Sequence, residues 1–324
     1  MDKQCIGFDT SNYTTSAAVF GGGTAENRGR LLSVPEGALG LRQSDALFQH
    51  VKRLHLMVEQ LREEGAIGEI AAVGASTRPR EVEGSYMPCF LVGEGEGRAL
   101  AAALGVPFFP CSHQQGHIAA AAWSAHRDDL LDKPHLAWHL SGGTTELLRV
   151  EPMGHTVRAE VIGGTSDISA GQLIDRTGVL LGLPFPAGKA LDALYSEADE
   201  CLDYRVKLKD LTFSLSGMEN QVKNLLEKGE KPGNIAKFTI DTVTNVVLRT
   251  TQEAQKRWPG LPVLCSGGVA SNRQIRAAME RYDFARDEIM AFGDGENDMP
   301  MLRLAGTAVA MGNADEPVKE LADY

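Results

Sequence analysis

Disulfide-grade cysteine usage is missing from this chain of 324 residues. Cys5, Cys89, Cys111, Cys201 and Cys265 are scattered, odd in number and without a CxxC pair, which fits a reduced cytoplasmic protein. Long apolar runs are missing too: no stretch approaches the roughly 20 residues of a membrane span. The first residues read as a strand, not as a basic segment followed by an apolar one, so no secretory signal is expected. Positive charge is in deficit, with 32 Lys and Arg against 43 Asp and Glu, net −11. Phosphate neutralisation needs a basic surface, so strong autonomous binding to nucleic acid is not expected. A local basic patch, or a partner, would have to supply that surface. Low-complexity tracts and long linkers are absent as well.

What is present is an alternation of strand-like and helix-like segments, which points to an α/β fold. "QCIGFDTSNYTTSAAVFGGG" reads as strand, polar turn, strand and glycine turn. "SDALFQHVKRLHLMVEQLREEG" reads as a helix, with Ser44 as cap, Leu47, Val51, Leu54, Val58 and Leu61 as its buried stripe, and Gly65 at its end. Buried strands are expected at 71–77 and 106–112, with an alanine-rich helix near 96–104 between them. At 135 the opening pattern returns. "HLAWHLSGGTTELLRV" is again strand, small polar turn and strand, and each turn carries a Thr-Thr pair, Thr14-Thr15 and Thr144-Thr145. This reads as a duplicated hairpin about 130 residues apart, the mark of two related lobes. Helices dominate 168–257. "VLCSGGVASNRQIRAAMERY" is a strand, a Gly-Gly turn and a helix that Ser271 or Asn272 would cap.

Three turns carry phosphate-binding character, because glycine lets the backbone approach closely and successive N–H groups form an anion nest. They hold Asp9, Thr10 and Ser11; Ser141, Gly142, Gly143, Thr144 and Thr145; and Gly267 with Gly268. One such turn is unremarkable; their repetition favours a nucleotide held between two lobes. Asp167, Asp175 and Asp192 fall around a helix and a Pro-Ala-Gly loop, where they would bind hydroxyl groups or cap helices. "SHQQGHIAAAAW" puts His113 and His117 four apart at the head of a helix, on one face. The run follows a strand, where ligands gather in open α/β sheets, and neutral imidazole suits zinc or iron. Cys111 reads as a strand-end core residue. His126, His135 and His139 have no matching spacing and read as structural.

Taken together, "DTSNYTTS", "GLRQSDALFQHV", "SHQQGHIAAA", "SGGTTEL", "DISAGQLIDRTGVLLGLPFPAGK", "FSLSGMENQ" and "SGGVASN" resemble one family. It is the threonylcarbamoyladenosine synthase family (TsaD, YgjD or Gcp, formerly called peptidase M22), and the similarity covers roughly residues 3 to 281. The resemblance implies a two-lobed α/β architecture of the actin-like ATPase, sugar kinase and Hsp70 type (ribonuclease H-like) with duplicated lobes. It implies transfer of threonylcarbamoyl from threonylcarbamoyl-adenylate to N6 of a tRNA adenosine. His113 and His117 match the family's metal-binding histidines, with iron or zinc as the implied ion. Ser141, Gly142, Gly143, Thr144 and Thr145 match its phosphate and substrate loop. Asp175, Gly188, Asp192 and Asn272 match further contacts to the adenine nucleotide, threonylcarbamoyl-adenylate or ATP. TsaB-like or TsaE-like proteins are the implied partners, and tRNA binding is expected to depend on them. The old protease label finds no HExxH pattern to support it.

Two stretches depart from the family pattern. The usual "GPGLxGSLxVG" is here "RPREVEGSYMPCFLVG", which marks a divergent branch. Residues 286–324 resemble the C-terminal end of Cof-type haloacid-dehalogenase phosphatases, in which Asp294 and Asp298 of "GDGENDMPML" would bind magnesium. No DxDGT nucleophile motif accompanies them, so a working phosphatase is not expected. The family's third metal ligand is an aspartate near the C-terminus, and Asp298, or Asp294, is the candidate here. The expected organisation is a first lobe at 1–133 with the histidine helix, a second at 134–281, and a foreign tail at 282–324. The expected function is threonylcarbamoyl transfer or a divergent relative of it. The alternative is a non-catalytic nucleotide-binding regulator or partner subunit on the same fold.

Overall fold

The computed structural model describes residues 3–11, 14–33, 41–124, 127–202, 205–270, 272–280, 290–293, 307–310 and 319–320. The chain divides into two compact units, Met1–Ala120 and Ala121–Tyr324.

The first unit holds β1 (Lys3–Asp9), β2 (Thr14–Gly21), β3 (Thr24–Leu31), α1 (Gln43–Glu63), β4 (Glu69–Arg78), α2 (Phe90–Leu104), β5 (Phe108–Ser112) and most of α3 (His113–Ser124). Its sheet runs β3-β2-β1-β4-β5. β1 is antiparallel to β2 and parallel to β4, and β4 is parallel to β5. Strand side chains alternate between faces, so Ile6 and Phe8, Ala17 and Val19, and Val73 and Ala75 supply one apolar face. Leu54, Met57 and Leu61 of α1 and Val92 and Ala101 of α2 pack with them as one core.

Helix α1 differs from expectation in two details. It begins at Gln43 after Arg42, so Ser44 lies inside it and does not cap it. Its buried stripe is Ala46, His50, Leu54, Met57 and Leu61. Val51 is 50% exposed. His50 takes the inward position because its Nδ1 meets the Thr15 hydroxyl of β2 at 2.8 Å, which pairs two buried polar groups. Gly65 ends the helix as expected, with the Ala66 N–H donating to the Leu61 carbonyl at 2.9 Å.

The second unit holds β6 (His135–Leu140), β7 (Thr145–Met153), β8 (Thr156–Thr165), α4 (Ala170–Leu180), α5 (Gly188–Tyr195), β9 (Leu208–Lys209), β10 (Thr212–Phe213), α6 (Ser216–Glu227), α7 (Pro232–Arg257), β11 (Val263–Ser266), α8 (Arg273–Glu280), β12 (Met290–Gly293) and β13 (Thr307–Ala310). Its main sheet runs β11-β6-β7-β8-β10-β9. β6 is antiparallel to β7 and parallel to β11, and β7 is antiparallel to β8. The strands β8-β7-β6-β11 thus repeat β3-β2-β1-β4, as the duplicated hairpin pattern requires. β12 lies beside β11 and pairs in parallel with β13.

The core of this unit is built on α7. Ile235, Phe238, Ile240, Val243, Val246, Val247 and Ala254 of α7 pack with Leu136, Trp138 and Leu140 of β6 and with Leu173 of α4. Four of the five buried threonines of α7 are satisfied locally: Thr239, Thr244, Thr250 and Thr251 each donate to the carbonyl four residues back. Thr251 also accepts the Trp138 indole N–H at 2.9 Å. No helix among the described residues is long and apolar enough to cross a membrane. Asp294 and Asp298 lie outside the described residues.

Candidate metal-binding and nucleotide-binding sites

In the first unit the sequence places two histidines at the start of a helix, and the start is fixed by its own cap. The Ser112 hydroxyl accepts the Gln115 N–H at 3.1 Å, and the Gln115 side chain accepts the Ser112 N–H at 2.7 Å. This reciprocal Ser-x-x-Gln pair satisfies two donors at the helix start. His113 and His117 then stand one turn apart, with their Nε2 atoms 2.8 Å from each other and ring centroids 4.2 Å apart. The contact is a hydrogen bond between the two rings, and a pair of imidazole nitrogens converging in this way has the donor chemistry of a divalent-ion site. Cys111 does not join them as a thiolate: burial raises its thiol, and Sγ lies 3.5 Å from the Ala75 carbonyl. Among the described residues no group of three or more His, Cys, Asp or Glu side chains is arranged to hold an ion.

Asp9, expected in a phosphate turn, instead faces the histidines. Its Oδ2 accepts from His113 Nδ1 at 2.7 Å and from the Ser76 hydroxyl at 2.5 Å, and its Oδ1 accepts the Ser11 N–H at 2.8 Å. Burial pushes this carboxyl up, but the hydrogen bonds from His113, Ser11 and Ser76 hold it well below the usual carboxylate range. Thr10 is 0% exposed. Its hydroxyl donates to the Cys89 carbonyl at 2.8 Å and accepts the Gly93 N–H at 3.1 Å. Those bonds tie the end of β1 to the first turn of α2 and leave Thr10 sealed from any ligand. Ser11 remains partly exposed at the turn.

In the second unit the turn between β6 and β7 is closed by Ser141 and Thr144. The Ser141 N–H donates to the Thr144 carbonyl at 2.8 Å, and the Thr144 N–H donates to the Ser141 hydroxyl at 3.1 Å. Gly142 and Gly143 are left exposed at its tip. Thr145 is buried, and its hydroxyl accepts the Ala170 N–H at 2.8 Å. Ser169 caps α4 with Gln172 in a second reciprocal pair and donates to the Gly142 carbonyl at 2.6 Å. The helix start comes so near that a Cβ at Gly171 would sit 2.6 Å from the Ser141 carbonyl oxygen. Gly267, at φ +98°, abuts the same strand end, and the Val269 N–H donates to the Leu140 carbonyl at 2.9 Å. The Gly142-Gly143 turn, the Gly267-Gly268 turn and the N-terminus of α4 therefore form one glycine-lined floor. Exposed glycine turns of this kind favour an anion.

The remaining candidates frame that floor. Asn272 caps α8, accepting the Gln274 and Ile275 N–H groups at 3.0 and 3.2 Å. Its Nδ2 donates to Asp192 at 3.1 Å, and Arg273 Nε donates to the other oxygen of that carboxylate at 2.6 Å. Asp175 accepts the Ala187 N–H at 2.8 Å, which holds the turn just before Gly188 at the start of α5. Asp167 accepts from the Ser214 and Ser216 hydroxyls and from the Leu215 N–H, clasping the start of α6. Burial pushes its carboxyl up, but those donors hold it well below the carboxylate range. The two Ser-x-x-Gln caps went unread in the sequence, although "SHQQ" and "SAGQ" display them. The Asp9–His113 bond carries no local signal, because the partners are 104 residues apart.

A strand order repeated in two sheets, with a tight small-residue turn after the first strand of the second sheet and a histidine-headed helix after the fifth strand of the first, defines an α/β protein of the actin-like ATPase class. The solved structure of full-length HypF in its phosphate- and nucleotide-bound form shares the fold, with TM-score 0.52 and 16% identity over 86% of this chain and 50% of that one. The solved structure of T. kodakarensis HypF gives TM-score 0.51 and 14% identity over 86% of this chain and 44% of that one. Residues 40–290 match the family model for TsaD, tRNA N6-adenosine threonylcarbamoyltransferase. Relatives of that name from Geobacillus kaustophilus and Thermus thermophilus are 31% and 35% identical, over 96% and 74% of this chain and 90% and 71% of theirs. The chain belongs to the TsaD family.

Proposed function

We propose that this chain transfers the threonylcarbamoyl group of threonylcarbamoyl-adenylate to N6 of an adenosine in tRNA. In that reaction N6 attacks the carbamoyl carbon, the bond to the phosphate oxygen breaks, AMP leaves, and N6 loses one proton. The observation that carries the reading is the glycine-lined floor of the second unit, in a chain that matches this family over most of its length. The exposed turn of Gly142 and Gly143 receives the phosphate of the adenylate. Fixed donors aimed at a leaving phosphate stabilise its charge without reorganisation. Asp192 and Asn272, bonded to each other, and the Gly188 turn held by Asp175, present polar groups to the rest of the nucleotide.

His113 and His117 would hold a divalent ion, iron or zinc. When bound, that ion supplies Lewis-acid and templating chemistry. The net charge of −11 makes tRNA binding depend on partner subunits of the TsaB or TsaE kind. The reading places the chain in the cytoplasm.

The test is to incubate the purified chain, with and without such partners, with threonylcarbamoyl-adenylate and unmodified tRNA, and to measure the modified nucleoside by mass spectrometry. Modified adenosine is expected in the presence of partners. It should fall to background in His113→Ala, together with bound metal of about one equivalent in the parent. Nucleotide binding with no transfer under any partner combination would overturn the reading in favour of a non-catalytic regulator.

A further inference from the structure

We propose that Asp9 is a positioning residue for the histidine pair, acting on the ion-binding nitrogens through His113; the inference rests on the metal-holding reading above. An ionised carboxylate only accepts hydrogen bonds, so the 2.7 Å contact puts a proton on His113 Nδ1, donated to Asp9. A neutral imidazole protonated at Nδ1 presents its lone pair at Nε2. That is the nitrogen which meets His117 Nε2 at 2.8 Å. Asp9 therefore selects both the tautomer and the ring orientation that ligation needs.

The same geometry shows what Asp9 is not. It touches the ring nitrogen on the side away from His117. While it holds Nδ1 it stands outside the ligand set that His113 Nε2 and His117 Nε2 define, and the third ligand must come from elsewhere. Its own placement is rigid. Asp9 ends β1, Ser76 lies on the neighbouring parallel strand β4, and the Ser76 hydroxyl bonds the same oxygen that holds His113. The Ser11 N–H occupies the other oxygen. The ring sits at the head of a helix whose first turn is fixed by Ser112 and Gln115. A carboxylate anchored in the sheet thus sets the angle of a ring anchored in the helix. Outer-shell partners of this kind raise ligand basicity and fix orientation, and their loss costs about 10–100-fold in metal affinity.

The experiment uses the full chain, with Zn2+ as the probe titrated against a competing chromophoric chelator. The variants are Asp9→Ala, Asp9→Asn and His113→Ala, each checked for folding by circular dichroism. Imidazole 15N NMR reads the His113 tautomer without metal. Asp9→Ala is expected to weaken Zn2+ binding about 10–100-fold and to convert a single Nδ1–H tautomer into a mixture. Asp9→Asn, whose amide oxygen still accepts from Nδ1, should keep that tautomer and bind Zn2+ more tightly than the alanine variant. A folded Asp9→Ala within about twofold of the parent affinity, where the orienting role demands at least tenfold, overturns the proposal provided His113→Ala loses the ion. An asparagine variant no better than alanine overturns it as well. Zn2+ binding untouched in His113→Ala shows that the metal reading itself is wrong, and the proposal falls with it.

Discussion

At the scale of single residues, position in a motif and role in the structure diverge most at Thr10. It stands between Asp9 and Ser11 in a turn that reads as a phosphate cradle, yet its hydroxyl spans the Cys89 carbonyl and the Gly93 N–H inside the protein. Valine has the same shape without the hydroxyl. Thr10→Val would leave a buried donor and a buried acceptor unpaired at the start of α2, a loss of about 1–3 kcal/mol. Urea unfolding should show that loss, while nucleotide affinity stays at the parent value; lowered affinity with unchanged stability would instead return Thr10 to the ligand. Legibility at this scale was uneven. His113 and His117 could be read from their spacing alone, since four residues make one helical turn. The Asp9 partnership could not, because strand pairing and helix docking bring it about across 104 residues. Thr145 followed Thr10: its motif was visible, its burial was not.

At the scale of elements, the hairpins, the order of strands and helices, and the end of α1 at Gly65 were legible because alternation and glycine act locally. The register of α1 was not. Val51 has the right hydropathy for the buried stripe, but the sheet offers the Thr15 hydroxyl opposite His50, and a buried histidine bonded there through Nδ1 turns the helix by one position. The glycine floor shows the same limit, since three segments separated in the chain must meet before it exists. Gly171 tests that meeting. A methyl group there points at the Ser141 carbonyl oxygen, 2.6 Å from the added carbon, with backbone on the other side and no flexible side chain to yield. Either the turn or the start of α4 must shift. Gly171→Ala is expected to lose about 1–3 kcal/mol of stability and to weaken adenylate binding in the same protein, measured by unfolding and by calorimetry. Weakened unfolding with full adenylate affinity would separate the floor from the nucleotide.

At the scale of the whole molecule, pH is the variable that reads burial and charge together. His135 opens β6 fully buried, and burial pushes its imidazole below the usual histidine value of 6.5 against the opposing backbone bonds to Lys133 and Leu130. The folded chain then refuses a proton that the unfolded chain accepts. Stability is complete above pH about 6.5 and declines as pH falls below it, by at most about 1.4 kcal/mol per pH unit for one such site. Asp167 acts in a separate window, with the opposite charge logic. Its folded carboxyl is held below 3.8 by the α6 donors, so its contribution is present above that value and is lost only as pH drops further. Unfolding free energies measured in urea from pH 8 to pH 2.5 should therefore slope downward with acid in the parent. His135→Gln, which can still donate to the Lys133 carbonyl but carries no titrating group, should flatten that slope while leaving any fall below pH about 4 in place. A slope unchanged by the substitution would assign the decline to other groups. A slope abolished down to the acid limit would mean that Asp167 contributes nothing, contrary to the clasp seen at the start of α6.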